Sequence, residues 1–291
     1  MSRPASLPGP AQCRLAAIQI RPPYTAVAPV SFDGDGGCAG ALMLGTLLGY
    51  RVGGFAHDWP LLEAAVPALR ARHPGAPVVL QIGADDPAEA VHYARRAAYL
   101  SVRAILMDGE PVASTLRAIV PRPVNLAADV TDWLELRRVP LSPECQHLVR
   151  AILRLAPAHR TVGSLLATIG QTEAAVRKRF HSRGITPPSR WFAAARALHA
   201  ALILQAQPGT SLFDVAWSLG YSDASALSRQ MARVFELRPG AVRALLGWEP
   251  LLDRWLAIEA VGSSMMAPIG AHDQIAPPLV VPAIDRRVPP S

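Results

Sequence analysis

The sequence predicts an α/β domain followed by an all-α domain, and three observations support this prediction. Between residues 24 and 138, short apolar runs rich in β-branched residues alternate with helical patterns, as in a parallel sheet covered by helices. Residues 147–256 have helical patterns without a convincing strand. That segment carries 14 Lys/Arg against 6 Asp/Glu, a formal charge of +8, whereas the rest of the chain carries 15 against 16.

Charge, cysteines and hydropathy bound the class of protein. The excess of positive charge in the helical segment indicates a polyanionic partner, with a solvated basic surface as the plainer alternative. The three cysteines are far apart in the sequence and lack metal-ligand spacing, which favours a reducing compartment. Neither a signal peptide nor a membrane-spanning run is recognisable. We therefore expect a soluble cytoplasmic protein without membrane contact.

Composition also predicts the domain boundaries. Residues 1–23 are Pro-rich and are expected to form a flexible leader before the α/β domain at 24–138. Residues 139–146 contain two prolines and are predicted to be a linker to the helical domain at 147–256. Residues 257–291 end in a Pro-rich stretch and are expected to be a disordered tail.

The elements of the α/β domain are predicted from runs and breaks. The clearest strand is APVVLQIG, because it is a short β-branched run between Pro77 and Gly83. The helix WPLLEAAVPALRARHP is amphipathic. The full set comprises strands at 25–37, 51–56, 76–83, 103–109 and 123–129, and helices at 39–50, 59–74, 86–102 and 111–120.

This alternation resembles the receiver domains of response regulators, or flavodoxin-like domains in general. The resemblance implies a parallel sheet, with Asp33 and Asp35 as the acidic pair after the first strand. Gln81 and its neighbours stand where a phosphoacceptor aspartate is needed, and Lys178 is the only lysine in the chain. The resemblance therefore implies a degenerate receiver without phosphotransfer, used either for dimerisation or for sensing an unknown effector or partner protein.

A loose dinucleotide fingerprint provides the alternative function. The run GDGGCA at 34–39 fits G-x-G-x-x-A, and Asp58 follows after the next predicted strand. The alternative is thus a nucleotide-binding α/β protein or enzyme with an accessory helical domain. No serine, cysteine or histidine arrangement indicates catalysis, so we predict no enzymatic activity, no catalytic residue, no cofactor and no metal.

The helical segment contains a weak internal repeat. One copy is TVGSLLATIGQTEAAVRKRF at 161–180, and the other is TSLFDVAWSLGYSDASALSRQMARVF at 210–235. In each copy a short apolar helix meets a glycine, Gly170 or Gly220, which tolerates the left-handed conformation at a helix end. A capping residue then opens a second helix: Thr172 in the first copy, Ser222 or Asp223 in the second.

Apolar stripes complete the prediction of two helix-turn-helix motifs. In the second copy, Leu212, Val215, Ala216 and Leu219 have helical spacing before the turn; Leu227, Met231 and Val234 have it afterwards. Between the copies, residues 189–207 are rich in alanine and leucine and follow two prolines, which predicts a connecting helix. Such a helix would place two recognition helices in successive major grooves, about 34 Å apart.

Residues 147–245 resemble the tandem helix-turn-helix domain of the AraC/XylS transcription regulators. In the second copy the matching positions are Ala216, Gly220, Tyr221, Asp223, Ser225, Leu227, Arg229, Phe235, Pro239 and Arg243. In the first they are Thr172, Val176, Lys178, Phe180, Pro188, Trp191 and Arg196. The chain departs from the family pattern at Leu166, Met231, Ala232, Glu236 and Val242.

The resemblance implies which residues bind DNA. Those facing the first groove would be Ala174, Arg177 and Lys178, and those facing the second would be Ala224, Ser225, Ala226 and Arg229. The residues that would contact the DNA backbone, and so position the protein on the duplex, are Arg179, Arg190 and Arg233. We expect Arg229 to read a base, with a phosphate contact or a salt bridge to Asp223 or Asp214 as alternatives. Trp191 and Trp217 are predicted to be core residues.

These observations predict a sequence-specific regulator of transcription that binds double-stranded DNA. The helical domain would bind the duplex, and the α/β domain would form a homodimer or receive a signal.

Overall fold

The computed structural model describes residues 15–32, 42–53, 55–83, 87–139 and 141–264, without the side chains of 55–57, 87–90 and 261–264. Several predictions lie outside the described residues. These are Asp33 and Asp35, the glycine-rich run at 34–39, most of the predicted leader and the tail beyond residue 264.

The first part of the chain contains a five-stranded mixed sheet of order β2-β1-β3-β4-β5. Its strands are β1 Ala16–Ile20, β2 Ala28–Pro29, β3 Leu47–Val52, β4 Val78–Ile82 and β5 Ala104–Met107. β1 pairs antiparallel with β2 and β3, whereas β3, β4 and β5 are mutually parallel. The prediction of an entirely parallel sheet is therefore wrong, and residues 16–20 of the predicted leader form a strand.

Two predicted elements have the opposite secondary structure. The predicted helix at 39–50 overlaps β3, because residues 47–50 pair with β1 and β4. Gly49 lies so close to β4 that an added Cβ would be 1.7 Å from the Val79 carbonyl oxygen. The predicted strand at 123–129 overlaps helix α4, which the Asn125 side chain caps by accepting a hydrogen bond from the Ala128 amide. The helices of this region are α1 Phe55–Arg72, α2 Pro87–Ala97, α3 Val112–Ile119 and α4 Leu126–Leu136.

The rest of the described chain is helical, as predicted. The helices are α5 Pro143–Leu155, α6 Val162–Thr168, α7 Glu173–His181, α8 Pro188–Ala206, α9 Leu212–Ser218, α10 Ala224–Phe235, α11 Pro239–Ala244 and α12 Glu249–Ser264. The predicted linker is shorter than expected, because Ser142 accepts a hydrogen bond from the Cys145 amide and caps α5. At the other boundary, α12 continues beyond residue 256 into the predicted tail.

Burial divides the apolar residues into three clusters. One face of the sheet, which includes Val78 and Leu80, packs with residues of α1 and α2. The opposite face, which includes Val79, packs with α3 and with Leu246 from the helical part. The largest cluster lies among the helices and includes Trp133 of α4. α4 therefore contributes to the helical core, although we predicted its first turn as the last strand of the sheet.

Charged and aromatic groups join the sheet to the helices. Arg103, just before β5, forms salt bridges with Asp129 of α4 and Glu249 of α12. Burial tends to lower the pKa of Arg103, but these two carboxylates raise it overall, so the guanidinium stays charged. The Trp133 indole donates a hydrogen bond to the Pro74 carbonyl at 2.7 Å. The two parts consequently share an interface of buried charge and apolar contact.

Candidate nucleic-acid interface

Two tight turns lie at the predicted glycines. Gly170 follows α6 with φ 69°, and Gly220 follows α9 with φ 68°. Both are in the left-handed region, where a side chain is strained. The amide after each glycine bonds back to the preceding helix at 2.9 Å, from Gln171 to the Leu166 carbonyl and from Tyr221 to the Ala216 carbonyl. Both predicted glycine turns are confirmed.

Each second helix begins at a capping side chain. Thr172 Oγ1 accepts a hydrogen bond from the Ala175 amide at 3.3 Å. In the second copy the cap is Asp223, whose Oδ1 accepts from the Ala226 amide at 2.7 Å. Ser222 instead donates to Asp223 Oδ2 at 3.0 Å. The hydrogen bond from the Ala226 amide, followed by the hydrogen bond from the Ser222 hydroxyl, holds the pKa of the Asp223 carboxyl below its usual value. The capping carboxylate therefore stays charged.

Buried stripes orient both second helices. In α7 the buried side chains are those of Val176 and Phe180. In α10 they are those of Leu227, Met231, Val234 and Phe235. The predicted stripe before the second turn is also confirmed, since Val215, Ala216 and Leu219 are buried and Leu212 packs against the same core. The opposite faces of α7 and α10 are therefore directed away from the core.

The outward face of α7 carries three of the predicted residues and one that we missed. Ala174, Arg177 and Lys178 are exposed together, and His181 extends the same face by one turn. His181 lies three residues beyond Lys178 and four beyond Arg177, so helical spacing in the sequence already indicated that it shares their face. Arg177 is partly engaged, because its guanidinium pairs with Glu173 at 2.6 Å.

Arg179 does not join this group. It is half-buried beside Phe180 and lines a cleft with Glu144 and His147 of α5. The cleft is on the side of α7 that faces the helical core. The structure therefore separates Arg179 from the outward face on which Lys178 lies.

The outward face of α10 carries Ser225, Arg229 and Arg233, all exposed. Ala232 is exposed between these arginines and was not predicted as a site residue. Ala224 and Ala226 are half-buried at the flanks of the helix, so they contribute less to this face than expected.

The two arginines of α10 have no ion-pair partner within the part of the chain that the structure describes. Asp214, one alternative partner of Arg229, accepts a hydrogen bond from Ser211 at 2.6 Å. Asp223, the other, caps α10. Arg229 therefore keeps its donors available to a ligand.

Arg190 is held elsewhere. This residue of α8 pairs with Glu259 of α12, with 2.5 Å between Nη2 and Oε1 and 3.0 Å between Nε and Oε1. A contact from Arg190 to a DNA phosphate would compete with this carboxylate. The structure thus places Arg190 at the junction of α8 and α12.

Arg196 is a positioning residue whose role was not predicted. It is buried in α8 and donates to the Leu219 carbonyl, at the end of α9, at 2.6 Å. It also donates to the His159 carbonyl, just before α6, and lies 4.4 Å from the centre of the Tyr221 ring. One guanidinium therefore links both turn motifs to the helix between them. Sequence reasoning found the position by resemblance but had no signal for its burial.

The two tryptophans differ in burial. Trp191 is 1% exposed and packs edge-on against Trp255, with 4.6 Å between ring centres, as predicted for a core residue. Trp217 is 74% exposed and stacks on Phe213, which is itself 59% exposed. The prediction that Trp217 is a core residue is wrong, because Phe213 and Trp217 share the face of α9 opposite the buried stripe.

Glu236 ends α10 in a left-handed conformation, with φ 52° and ψ 34°. Glycine adopts this conformation without strain, whereas a residue with a side chain does not. The Glu236 carboxylate pairs with Arg254 of α12 at 3.0 Å. The acidic side chain is therefore drawn toward α12.

Two capped and glycine-terminated turns, joined by one helix, define a tandem helix-turn-helix module of the kind that binds DNA. In agreement, residues 165–244 match a protein family described as "Helix-turn-helix domain", of the AraC type. This match indicates a DNA-binding role in transcription regulation. A search of curated proteins matched nothing to the chain.

Three further features concern metal ligands, membrane-spanning helices and the loose dinucleotide pattern. The described residues contain no group of three His, Cys, Asp or Glu side chains arranged to hold a metal ion. No helix among them is long and apolar enough to cross a membrane. Asp58, the acidic residue of the loose dinucleotide pattern, accepts a hydrogen bond from the Gly53 amide at 2.8 Å. That bond gives Asp58 a local role beside the start of α1.

Proposed function

We propose that the protein is a sequence-specific regulator of transcription whose helices α7 and α10 enter adjacent major grooves of duplex DNA. The observation that supports this most is the pair of outward faces. Each is opposite a buried stripe, each carries exposed cations, and each follows a capped turn. A major groove admits an α-helix presented in this way.

Affinity in this proposal comes from neutralising phosphates. The chain offers Lys178 and Arg233 on the two faces, with Arg160 and Arg183 exposed at neighbouring positions. About six to ten such contacts would release counterions and make binding strongly dependent on salt. Arg177 and Arg190 contribute less until they leave their carboxylate partners.

Specificity in this proposal depends on α10. Small Ser225 allows close approach at the start of the helix, and Arg229 lies one turn further along the same face. An arginine without a carboxylate partner can donate to both acceptors of a guanine edge. We infer that Arg229 reads a base and that Arg233 contacts the backbone.

For the amino-terminal part, we propose dimerisation or signal input without phosphotransfer. Gln81, at the carboxyl end of β4, donates to Asp108 Oδ1 at 2.7 Å. Asp108 Oδ2 in turn pairs with Arg51 at 2.6 Å. This edge of the sheet therefore holds an amide nitrogen and a carboxylate that are paired internally, which supports a role other than phosphate transfer.

The test compares a duplex selected from genomic fragments with a scrambled duplex of equal length. Arg229→Ala is expected to weaken binding of the selected duplex by about 1–3 kcal/mol, or roughly 5- to 150-fold in Kd, and to change scrambled binding little. Arg95→Ala, at an exposed position of α2, is the matched control and should leave both constants unchanged. Fluorescence anisotropy over a salt series measures both.

Two results would count against the proposal. Equal losses on both duplexes would make Arg229 a phosphate contact. Absence of salt-dependent binding to any duplex would overturn the function itself.

A further inference from the structure

Two exposed aromatic rings lie on α9, and the proposed function does not use them. Phe213 is 59% exposed and Trp217 is 74% exposed, and their rings stack with 6.4 Å between centres and 16° between planes. They lie on the side of the helix opposite Val215 and Ala216, which are buried. On the order of 300 Å² of aromatic surface is therefore left in water, an amount that often marks an interaction site.

A carboxylate borders the two rings. Asp214 is exposed and has no ion-pair partner in the part of the chain that the structure describes. One of its oxygens accepts a hydrogen bond from the Ser211 hydroxyl at 2.6 Å, which leaves acceptor capacity on the carboxylate. The α9 face, formed by Phe213, Asp214 and Trp217, thus combines flat apolar surface with one negative charge at its edge.

A flat aromatic surface suits a proline-rich segment. Proline rings and aliphatic side chains pack against aromatic rings, and the fixed φ of proline lowers the entropy that is lost on binding. Such a segment needs no ladder of backbone hydrogen bonds with its partner. A basic residue near the prolines would complete the match by pairing with Asp214.

The chain contains a segment of this composition after α12. Residues 265–291, which lie beyond the described residues, contain six prolines. The run 277–282, with the sequence PPLVVP, supplies three of them together with one leucine and two valines. Arg286 and Arg287 follow this proline run within five residues. The segment therefore carries both the apolar groups and the cations that the α9 face lacks.

The proline run can reach the α9 face. α12 ends at Ser264, and residues 265–276 can span up to about 40 Å when extended. A helical region of the size of 141–264 has a radius of gyration of about 14 Å, and so a diameter of about 35 Å. In addition, α12 and α9 both pack against α8. The connection is therefore long enough to bring the run to α9 within one molecule.

From these observations we infer that the α9 face binds the chain's own proline run, with Arg286 or Arg287 pairing with Asp214. A flexible tether of this length gives the run an effective concentration on the order of 1 mM at the face. A Kd of about 1 mM for the separate segment would then cover the face for about half of the time. The inference does not depend on DNA binding, so a failure of the proposed function leaves it unchanged.

The first measurement follows Trp217 by fluorine NMR in the full chain labelled with fluorotryptophan, where Trp217→Phe assigns the resonance. The test variant replaces the three prolines of the run by glycine, which removes their rings and frees the backbone. Its substitutions are Pro277→Gly, Pro278→Gly and Pro282→Gly. The Trp217 resonance should move toward that of a solvated ring, whereas the resonance of Trp191 in the core should stay in place.

A matched control changes the same number of prolines outside the run and should keep the wild-type resonance of Trp217. Its substitutions are Pro268→Gly, Pro289→Gly and Pro290→Gly. The comparison separates an effect of the proline run from a general effect of glycine on the segment after α12.

The second measurement adds the segment back as a peptide. A peptide with the sequence of residues 274–288 is titrated into the test variant and should move the Trp217 resonance back, with a Kd of about 1 mM or below. The same peptide with its three prolines replaced by glycine should not. Asp214→Asn, which keeps an oxygen to accept from Ser211, should raise the Kd about twofold through loss of an exposed ion pair.

Three results would overturn the inference. The first is a Trp217 resonance that is unchanged in the test variant or that moves equally in the control. The second is a peptide Kd above about 10 mM, because the tethered run would then cover the face for less than about a tenth of the time. The third is a Trp217 resonance that moves with protein concentration, which would assign the face to a second copy of the chain.

Discussion

The two helix-turn-helix motifs share one architecture but differ in the charges they expose. α7 has nine residues, and its Arg177 is paired with Glu173, whereas Lys178 on the same face has no carboxylate partner in the described chain. α10 has twelve residues and presents Arg229 and Arg233 without a carboxylate partner in the described chain. A lysine acts on phosphate as a point charge, whereas an unpaired guanidinium can match a base edge. In the proposed function, the first motif would therefore mainly supply affinity and the second mainly specificity.

The largest effect should come from the helix on which both motifs depend. Trp191→Ala removes a buried ring of α8 and is expected to lower the free energy of unfolding by about 3–5 kcal/mol. Trp217→Ala removes an exposed ring and should change it by no more than about 0.5 kcal/mol. Urea unfolding followed by circular dichroism measures both. Similar losses for the two variants would show that Trp217 is buried in solution and would contradict the orientation of α9.

A smaller effect is expected at the C-terminal end of α10. Glu236→Gly relieves the left-handed strain on a non-glycine residue, which costs about 1–2 kcal/mol, and loses an exposed salt bridge worth about 0–1 kcal/mol. We expect a net gain of about 0.5–1 kcal/mol in the free energy of unfolding. Glu236→Ala keeps the strain and loses the bridge, so it should be less stable than wild type. If Glu236→Ala were more stable than Glu236→Gly, the left-handed conformation at the end of α10 would be wrong.

The smallest effect concerns the first motif and sharpens the comparison directly. Glu173→Gln releases Arg177 from a pair worth about 0.2–0.5 kcal/mol. The freed cation should tighten DNA binding about twofold and steepen the slope of log K against log salt by about 0.9, equally on selected and scrambled duplexes. Glu110→Gln, at an exposed position after β5, is the control. A gain restricted to the selected duplex would instead assign base reading to α7.

The helical region could be predicted closely because its signals are local. Each signal acts over three to five residues, about one turn of helix. The signals are Gly170, Gly220, Thr172 and the buried stripes. The same local reasoning misassigned 39–50 and 123–129. The conformation of segment 39–50 depends on the pairing of β3 with β1 and β4, which are distant from it in sequence. Segment 123–129 is apolar enough for a strand, but it is helical from Leu126 onward, and Leu126 and Ala127 are buried in the cluster that contains residues of α5 and α8.

The candidate site was predicted only as far as helical spacing extends. Lys178 and Arg229 face outward because their own helices bury the opposite side. Arg179 and Arg190 were assigned to DNA by resemblance to the AraC/XylS pattern. Arg179 lies in a cleft beside α5, and Arg190 pairs with a carboxylate of α12. No neighbouring residue in the sequence indicates either contact.

The sequence by itself determined the two capped turns, the faces of α7 and α10 and the basic character of the segment that contains them. These properties depend on backbone freedom at glycine, on hydrogen bonds to the first turn of a helix and on helical periodicity. Only the tertiary structure decided that β1 runs antiparallel, that Trp217 is exposed and that Arg196 joins the two motifs. Each of these outcomes depends on contacts between residues far apart in the chain, whose burial no local pattern specifies.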